Sequence, residues 1–308
     1  MIHLNDQQID ELIDLEQAIP ALDDAFRQLG RGEAAVQRRV RTEANGVKLS
    51  TLGAVLPGAE VVGAKVYTTI AGKFNFSIVL FSTSDGSLLA TLDANALTRL
   101  RTAATTAIAV RALARPAATS AAIFGTGVQG TAHAHALARF TNLQSLHIVG
   151  LEGSDALAAE LNARYGARGF SAQASQAQAA VEQADVIVTA TRATGPLFDG
   201  HAVKPGALIA AIGSSLPTTR ELDDATIARA SRIVVELREQ AREEAGDLVQ
   251  AAPGIVDWTA VVELGDVLEG KAPGRARDED VIVYKAVGIG LQDVALAGLA
   301  YRTYLASR

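Results

Sequence analysis

Residues 120–150 read SAAIFGTGVQGTAHAHALARFTNLQSLHIVG. SAAIF predicts a short buried strand, and the glycines that follow it, Gly125-x-Gly127-x-x-Gly130, open a stretch of helical character. LQSLHIVG predicts a second strand. The spacing is that of a strand, a tight turn and a helix, where the first glycine permits the turn. The second lets main chain approach a pyrophosphate, and the third lets helix and strand pack closely. A helix that begins there offers free N–H groups and the positive end of its dipole to phosphates.

The same rhythm runs outward from this stretch. SDALAAELNARYG and SQAQAAVEQA predict helices, DVIVTAT, ALIAAIG and RIVVEL predict strands, and a helix is expected after Leu222. Alternation of this kind predicts parallel βαβ units in a doubly wound α/β sheet. Upstream the pattern differs. Residues 1 to about 35 read as helix, with Asn5 as cap, Ile9, Leu12, Ile13, Ile19, Leu22 and Phe26 at helical spacing, and Gly30 and Gly32 as the stop. From Val36 to Asp93 come short strands with partial alternation, including GVKLSTLGAVL, EVVGAKVYTTI and FSIVLFST, with a hairpin signal at Ser84-Asp85-Gly86. A helix is expected over 95–113, closed by Pro116. After Val281 a short strand and an apolar helix end the chain, and this tail is expected to return to the first block. The expected organisation is a Rossmann domain over 117–284 and a discontinuous mixed α/β domain over 1–116 with 285–308.

Composition narrows the function. The chain has 308 residues, 49% hydrophobic and 20% charged, with a formal net charge of −6. That balance argues against nucleic acid or an anionic membrane as partner, since either demands a cationic field. There is no cysteine, so disulfides and thiolate chemistry are excluded. Neither a signal peptide nor an apolar run of spanning length is visible, and a cytoplasmic protein is expected. No metal is expected either. His133 and His135 stand two apart on a helix and so face apart, and no carboxylate cluster or H-E-x-x-H motif occurs. The acidic run ELREQAREEAGD is expected to be a solvated face.

Three cations raise a different question. Lys65 lies within VVGAKVYTT, where alternation points it the same way as Val61, Gly63 and Tyr67. An inward lysine costs desolvation unless an anion answers it. Arg101 opens an otherwise apolar helix, and Arg41 lies in a strand-like segment. They read either as surface or salt-bridged residues or as a clamp for a substrate carboxylate. At the tip of the second strand, where an acid would bind the ribose 2′-OH, the sequence has Gly150-Leu151-Glu152. Glu152 is within reach and no basic residue is near. NAD(H) is therefore favoured over NADP(H), with Glu152 as plain loop charge the other reading.

LLATLDANALTRLRTAATTAIAVRALARP followed by IFGTGVQGTAHAHAL resembles the ornithine cyclodeaminase/mu-crystallin family, as do AIGSSLPTTRELDD, LGDVLEGKAPGR and VIVYKAVGIGLQDVA. The resemblance runs from about Leu4 to Tyr304. It implies a Rossmann domain plus a domain that binds substrate and forms a homodimer, and hydride exchange between a nicotinamide and the α-carbon of an amino or imino acid. Carried onto this sequence, Arg41, Lys65 and Arg101 become the carboxylate-binding cations, with Lys65 also a proton relay. The cofactor side becomes Ser77, Arg101 and Thr102, the turn Gly125, Thr126, Gly127, Val128 and Gln129, then Gly150 and Glu152. Thr189, Ala190 and Thr191, Ile212, Gly213 and Ser214, and Ala286 complete it. Ser215, Val287 and Gly288 become the substrate pocket.

Ser215 departs from the pattern. It stands where cyclodeaminases carry an aspartate, and a hydroxyl cannot act as a carboxylate base or balance an ammonium group. The mu-crystallin branch also has serine there. The sequence therefore favours an NAD(P)H-dependent reductase of cyclic or open-chain α-imino acids. An ornithine cyclodeaminase or alanine dehydrogenase-like enzyme is the alternative, and a non-catalytic dinucleotide or small-molecule binder the alternative of another class.

Overall fold

The computed structural model describes residues 2–308 and divides into two compact units, residues 1–105 with 288–308, and residues 106–287. The boundary falls inside the helix Asn95–Leu113, not beyond Pro116, and the return is at Gly288.

The first unit is built on a seven-stranded sheet. Val47–Leu56, Val61–Ile70, Lys73–Ser82 and Leu88–Asp93 pair in antiparallel order, with Val40–Ala44 and Ala35–Val36 on Val47–Leu56. The turn at 84–86 closes as the hairpin signal predicts, with Gly86 in the left-handed region and Phe81 opposite Leu88. Register sorts the side chains onto two faces. Leu52, Lys65, Ile78 and Leu92 form one row across the strands, and Arg41, Ser50, Tyr67 and Phe76 form the next row on the same face. The helix Gly290–Ala306 packs against this sheet, and its apolar run is buried nearly all round, as expected of a helix apolar on every side. Gly290 makes the approach possible, because a Cβ there would overlap the Gly53 main chain.

The amino-terminal stretch is more divided than its periodicity predicts. Ile2–Leu4 is a strand, parallel to Leu88–Asp93. Asn5 caps a helix over Asp6–Leu12, in a capping box with Gln8. Asp14 then caps a second helix, Leu15–Arg31, which ends at a left-handed Gly32. The Asp14 carboxylate takes the Glu16 and Gln17 amides, and this second cap splits the expected single helix.

The second unit is an eight-stranded, all-parallel sheet. Its first strand, Ser120–Phe124, is flanked by Ser145–Val149 with Ser171–Ala174 beyond it on one side, and by Val186–Thr189, Leu208–Ala211 and Ile282–Lys285 on the other. Arg232–Val235 and Val262–Glu263 complete the sheet. The order in which the chain lays down its strands reverses between Ser120–Phe124 and Val186–Thr189, which is the switch point where open α/β sheets bind ligands at their carboxyl ends. The first strand is slender near its start: Ala121 and Ala122 are both buried, and their small side chains leave room for a core of Phe124, Ile187, Phe198, Ile209 and Val283. No helix among the described residues is long and apolar enough to cross a membrane.

Candidate functional site

Every parallel strand of the second unit points its carboxyl end to the same edge, and the glycine turn lies there. Gly125 has φ 109°, and a Cβ on it would stand 2.5 Å from the Ala190 carbonyl oxygen. A Cβ on Gly130 would overlap the Gly125 carbonyl, whereas one on Gly127 would meet nothing within 4 Å. The first and third glycines are thus demanded by the protein's own packing, and the second faces open space at the start of the helix Val128–Phe140. That is the cradle a pyrophosphate requires, and the residues present fit a dinucleotide. Val128 is 69% exposed beside it.

The adjoining strand tip explains its own irregular sequence. Thr126 from the glycine turn donates its hydroxyl to the Glu152 carbonyl at 2.7 Å. A Cβ on Gly150 would come within 2.7 Å of Thr126 Cγ2, so a side chain at the expected acid position would displace the Thr126 side chain. The acid appears two residues on, as the exposed Glu152, at a pocket of about 340 Å³ whose lining contains Asp155 and Ser175 but no lysine or arginine. Farther along the edge, the hydroxyls of Thr189 and Thr191 and the amide of Gly213 all donate to the Glu221 carboxylate. Ser214 donates to the Thr219 carbonyl at 2.5 Å, Ser215 is half-buried next to it, and Ile212 donates its amide to the Thr189 carbonyl. Ala286 and Val287 are buried, and the Val287 amide donates to Glu236 at 3.0 Å.

In the first unit, Lys65 is 2% exposed and its ammonium lies 2.8 Å from Asp293 Oδ1, with the Thr98 hydroxyl at 3.4 Å. Arg101, 8% exposed, places Nε 3.7 Å from the same oxygen and donates through Nη1 to Gln292 at 3.2 Å. Gln292 in turn donates to the Thr105 hydroxyl at 2.9 Å. Arg39 donates to the Gly288 carbonyl at 2.8 Å. Gly288 is left-handed, and a Cβ there would stand 2.8 Å from the Arg101 guanidinium. Burial lowers the Lys65 pKa from 10.5 to about 8. Asp293 opposes the shift, and the charges of Arg101 and Arg39 add to it. Asp293 Oδ2 is buried without a hydrogen-bond partner. Beside the cations, Phe76 lies 5.2 Å from the ammonium, and Tyr67, Phe74 and Phe76 form an aromatic wall with centroids 5.0 to 6.2 Å apart.

The sequence-derived candidates divide accordingly. Lys65 and Arg101 meet at one buried carboxylate, and Arg41 points to the same sheet face one row away. Lys65 and Arg101 are ion-paired and buried, as the salt-bridged reading of the sequence expects, and Arg41 is half-buried. Thr102 is buried with its hydroxyl on the Thr98 carbonyl. Ser77 lies on the opposite, exposed face of the sheet and does not join them. The run ELREQAREEAGD is only partly the solvated face expected: Glu239 and Glu243 are exposed, but Glu236, Glu244 and Asp247 are buried, because the short helices there lay one side on the sheet. His133 is buried between the Thr106 hydroxyl and the Gln129 carbonyl, while His135 contacts Tyr165 and Glu160. No metal-binding group of three His, Cys, Asp or Glu occurs among the described residues.

Asp293, Arg39, Glu221, Asp247 and Lys285 were not singled out from sequence. A signal existed for two of them. Asp293 in GIGLQDVALAGLA and Lys285 in VIVYKAVG are single charges inside apolar runs, the same anomaly that marks Lys65.

Fold and glycine turn together define a dinucleotide-binding α/β protein with a second, mixed α/β unit. The chain belongs to the ornithine cyclodeaminase/mu-crystallin family, whose model matches residues 2–308. It is 35% identical to the ketimine reductase mu-crystallin of Mus musculus, over 93% of this chain and 91% of that protein. Among solved structures it is similar to the "probable ornithine cyclodeaminase" of Bordetella pertussis Tohama I, with TM-score 0.95 and 52% identity over 100% of this chain and 98% of that one. The Thermococcus litoralis Δ1-pyrroline-2-carboxylate reductase, in complex with NADH and L-proline, matches with TM-score 0.92 and 25% identity, again over 100% and 98%.

Proposed function

We propose that the protein is an NAD(P)H-dependent reductase of α-imino acids, with a cyclic ketimine such as Δ1-pyrroline-2-carboxylate as substrate. The observation that carries this reading is the pair of buried cations in the first unit: Lys65 and Arg101 face one buried carboxylate, Asp293. A second carboxylate, the substrate's, completes the balance, with the guanidinium of Arg101 able to bind it through two parallel hydrogen bonds. Arg41 adds to the clamp from the same sheet face. The aromatic wall of Tyr67 and Phe76 suits the apolar body of a small ring.

Gly125 to Gln129 and the strand ends at 150–152, 189–191 and 212–214 hold the dinucleotide. Bound there, the reduced nicotinamide supplies the hydride that reduces the C=N carbon. Lys65 supplies the proton: its ammonium gives one to the imine nitrogen and regains one from solvent. A pKa near 8 makes that transfer easier than from an ordinary lysine. Asp293 keeps the ammonium charged at neutral pH. Glu152, with no basic neighbour in the pocket lining, favours NADH over NADPH.

A second copy of the chain is the expected partner. Val40, Val47, Leu49, Val55 and Phe81, each at least 37% exposed, share the sheet face opposite Lys65. An apolar face of this kind marks an association surface, and light scattering of the purified protein should report a homodimer.

The test of the reaction is steady-state oxidation of NADH and NADPH by the purified protein with Δ1-pyrroline-2-carboxylate and Δ1-piperideine-2-carboxylate. Turnover with NADH preferred supports the reading, and absence of turnover with both imines and both cofactors overturns it. The similarity to the Bordetella protein favours one other reading, cyclodeamination of ornithine. Ammonia release without net NADH formation would establish it. Ser215, in place of an acid, weighs against it.

A further inference from the structure

At the carboxyl edge of the parallel sheet, four donors from two separate turns converge on one carboxylate. Thr191 gives its amide and its hydroxyl to Glu221 Oε1 at 2.8 and 2.7 Å, and Thr189 Oγ1 and the Gly213 amide both reach Oε2 at 2.8 Å. Glu221 is itself held. Its amide and that of Leu222 donate to Asp247 Oδ1 at 2.6 and 2.8 Å. Asp247 Oδ2 lies 2.8 Å from Lys285 Nζ, an ion pair outside hydrogen-bond angles, and Lys285 Nζ donates to the Ser214 carbonyl at 2.6 Å. The path leaves the main chain at Gly213 and returns to it at Ser214. Glu221, Asp247 and Lys285 are each 0% exposed.

We propose that Glu221, Asp247 and Lys285 are positioning residues that set the nicotinamide end of the cofactor site. The inference rests on the dinucleotide reading above and extends it to residues that touch no ligand. Three buried ionisable groups are costly to desolvate, and an apolar trio of similar size would pack there at lower cost. What an apolar trio cannot do is fix four amides and one carbonyl of the main chain. Thr191, Gly213 and Ser214 lie just past the ends of two neighbouring strands, where a one-ångström shift would misplace the reacting carbon. The fit is tight as well: a Cβ on Gly213 would stand 2.5 Å from Glu221 Oε1. Glutamine is no substitute for Glu221, because its NH₂ end would face incoming donors.

The experiment compares two ligands on the full chain. NADH carries the nicotinamide, and ADP-ribose has the same pyrophosphate and adenosine without it. Glu221→Gln should weaken NADH about tenfold and leave ADP-ribose within about twofold. In turnover, the KM for NADH should rise while that for the imino acid stays. Thr191→Val removes one donor hydroxyl and leaves all three charges in place, so it should fold and shift NADH in the same direction by less. Equal weakening of both ligands by both variants would mean a general structural role, and no change in either ligand would mean no role; each overturns the proposal. Wild-type protein that binds NADH but reduces no imine would sink the reaction proposed above and leave this comparison of ligands standing.

Discussion

The two units each bury a lysine against an aspartate at 2.8 Å, and the pairs are opposites in design. Around Lys285 and Asp247, Glu221 included, every carboxylate oxygen meets a donor or the ammonium. Asp247 Oδ1 takes two amides, Lys285 also serves the Ser214 carbonyl, and Asp247 itself shows how well it is held. Burial alone would raise its pKa, yet the Lys285 charge and the two amides keep it below the ordinary value. Around Lys65 and Asp293 one carboxylate oxygen meets neither. Arg101 adds a second buried cation beside Asp293 Oδ1, and Asp293 Oδ2 has neither a hydrogen bond nor an ion pair, whereas Asp247 Oδ2 lies 2.8 Å from the Lys285 ammonium. The closed pair is suited to a scaffold, and the open pair is the proposed substrate site. The same two residue types therefore serve different ends, and their neighbours decide which.

The largest effect that could break this contrast is on turnover. Lys65→Met should lower kcat/KM for the imino acid by roughly 10³-fold, within the range for a lost general acid. NADH binding, followed by fluorescence, should remain, because Lys65 belongs to the unit without the glycine turn. Loss of both would make Lys65 a structural residue like Lys285.

Next comes stability. Lys285→Met leaves Asp247 buried and uncompensated, which costs about 3–5 kcal/mol by the experience of such pairs. Lys65→Met should cost less, since Arg101 Nε stays 3.7 Å from Asp293. Urea denaturation of the two variants measures the difference directly, and equal losses would erase the distinction drawn here. Arg101→Lys should raise the KM for the imino acid by about tenfold with little change in the KM for NADH, because an ammonium cannot bind a carboxylate through two parallel donors.

How much of this was legible beforehand differs between the units. In the second, function is carried by main chain whose path glycines dictate, and Gly125, Gly127 and Gly130 announce it in the sequence. The helix over 95–113 and the hairpin at 84–86 were legible for similar local reasons. In the first unit the site is assembled from a strand at 61–70, a helix at 95–113 and a helix at 290–306. Alternation showed that Lys65 points inward, but its partner Asp293 lies 228 positions away. No local pattern pairs residues at that distance. The break at Asp14 was hidden for another reason: the apolar spacing continues across it, and only the cap geometry divides the helix.

The pH profile offers the finest test, because the open pair predicts two slopes of opposite sign from one group. Lys65 donates a proton only when charged. Its pKa is about 8 in the folded free protein, so kcat/KM should fall roughly tenfold per unit as pH rises beyond that value. Asp293→Asn removes the carboxylate that holds this pKa up against burial, Arg101 and Arg39, and should move the limb to lower pH. Stability should run the other way. Unfolded, Lys65 titrates near its ordinary 10.5, so between about 8 and 10.5 the unfolded chain binds the extra proton. Its contribution to stability therefore rises with pH across that window, and below it the cost of burying the charge is present in full. The difference in unfolding free energy between wild type and Lys65→Met, measured at either end of the window, isolates the effect. A difference that is flat in pH would place the Lys65 pKa near that of an exposed lysine and make the open pair as well balanced as the closed one.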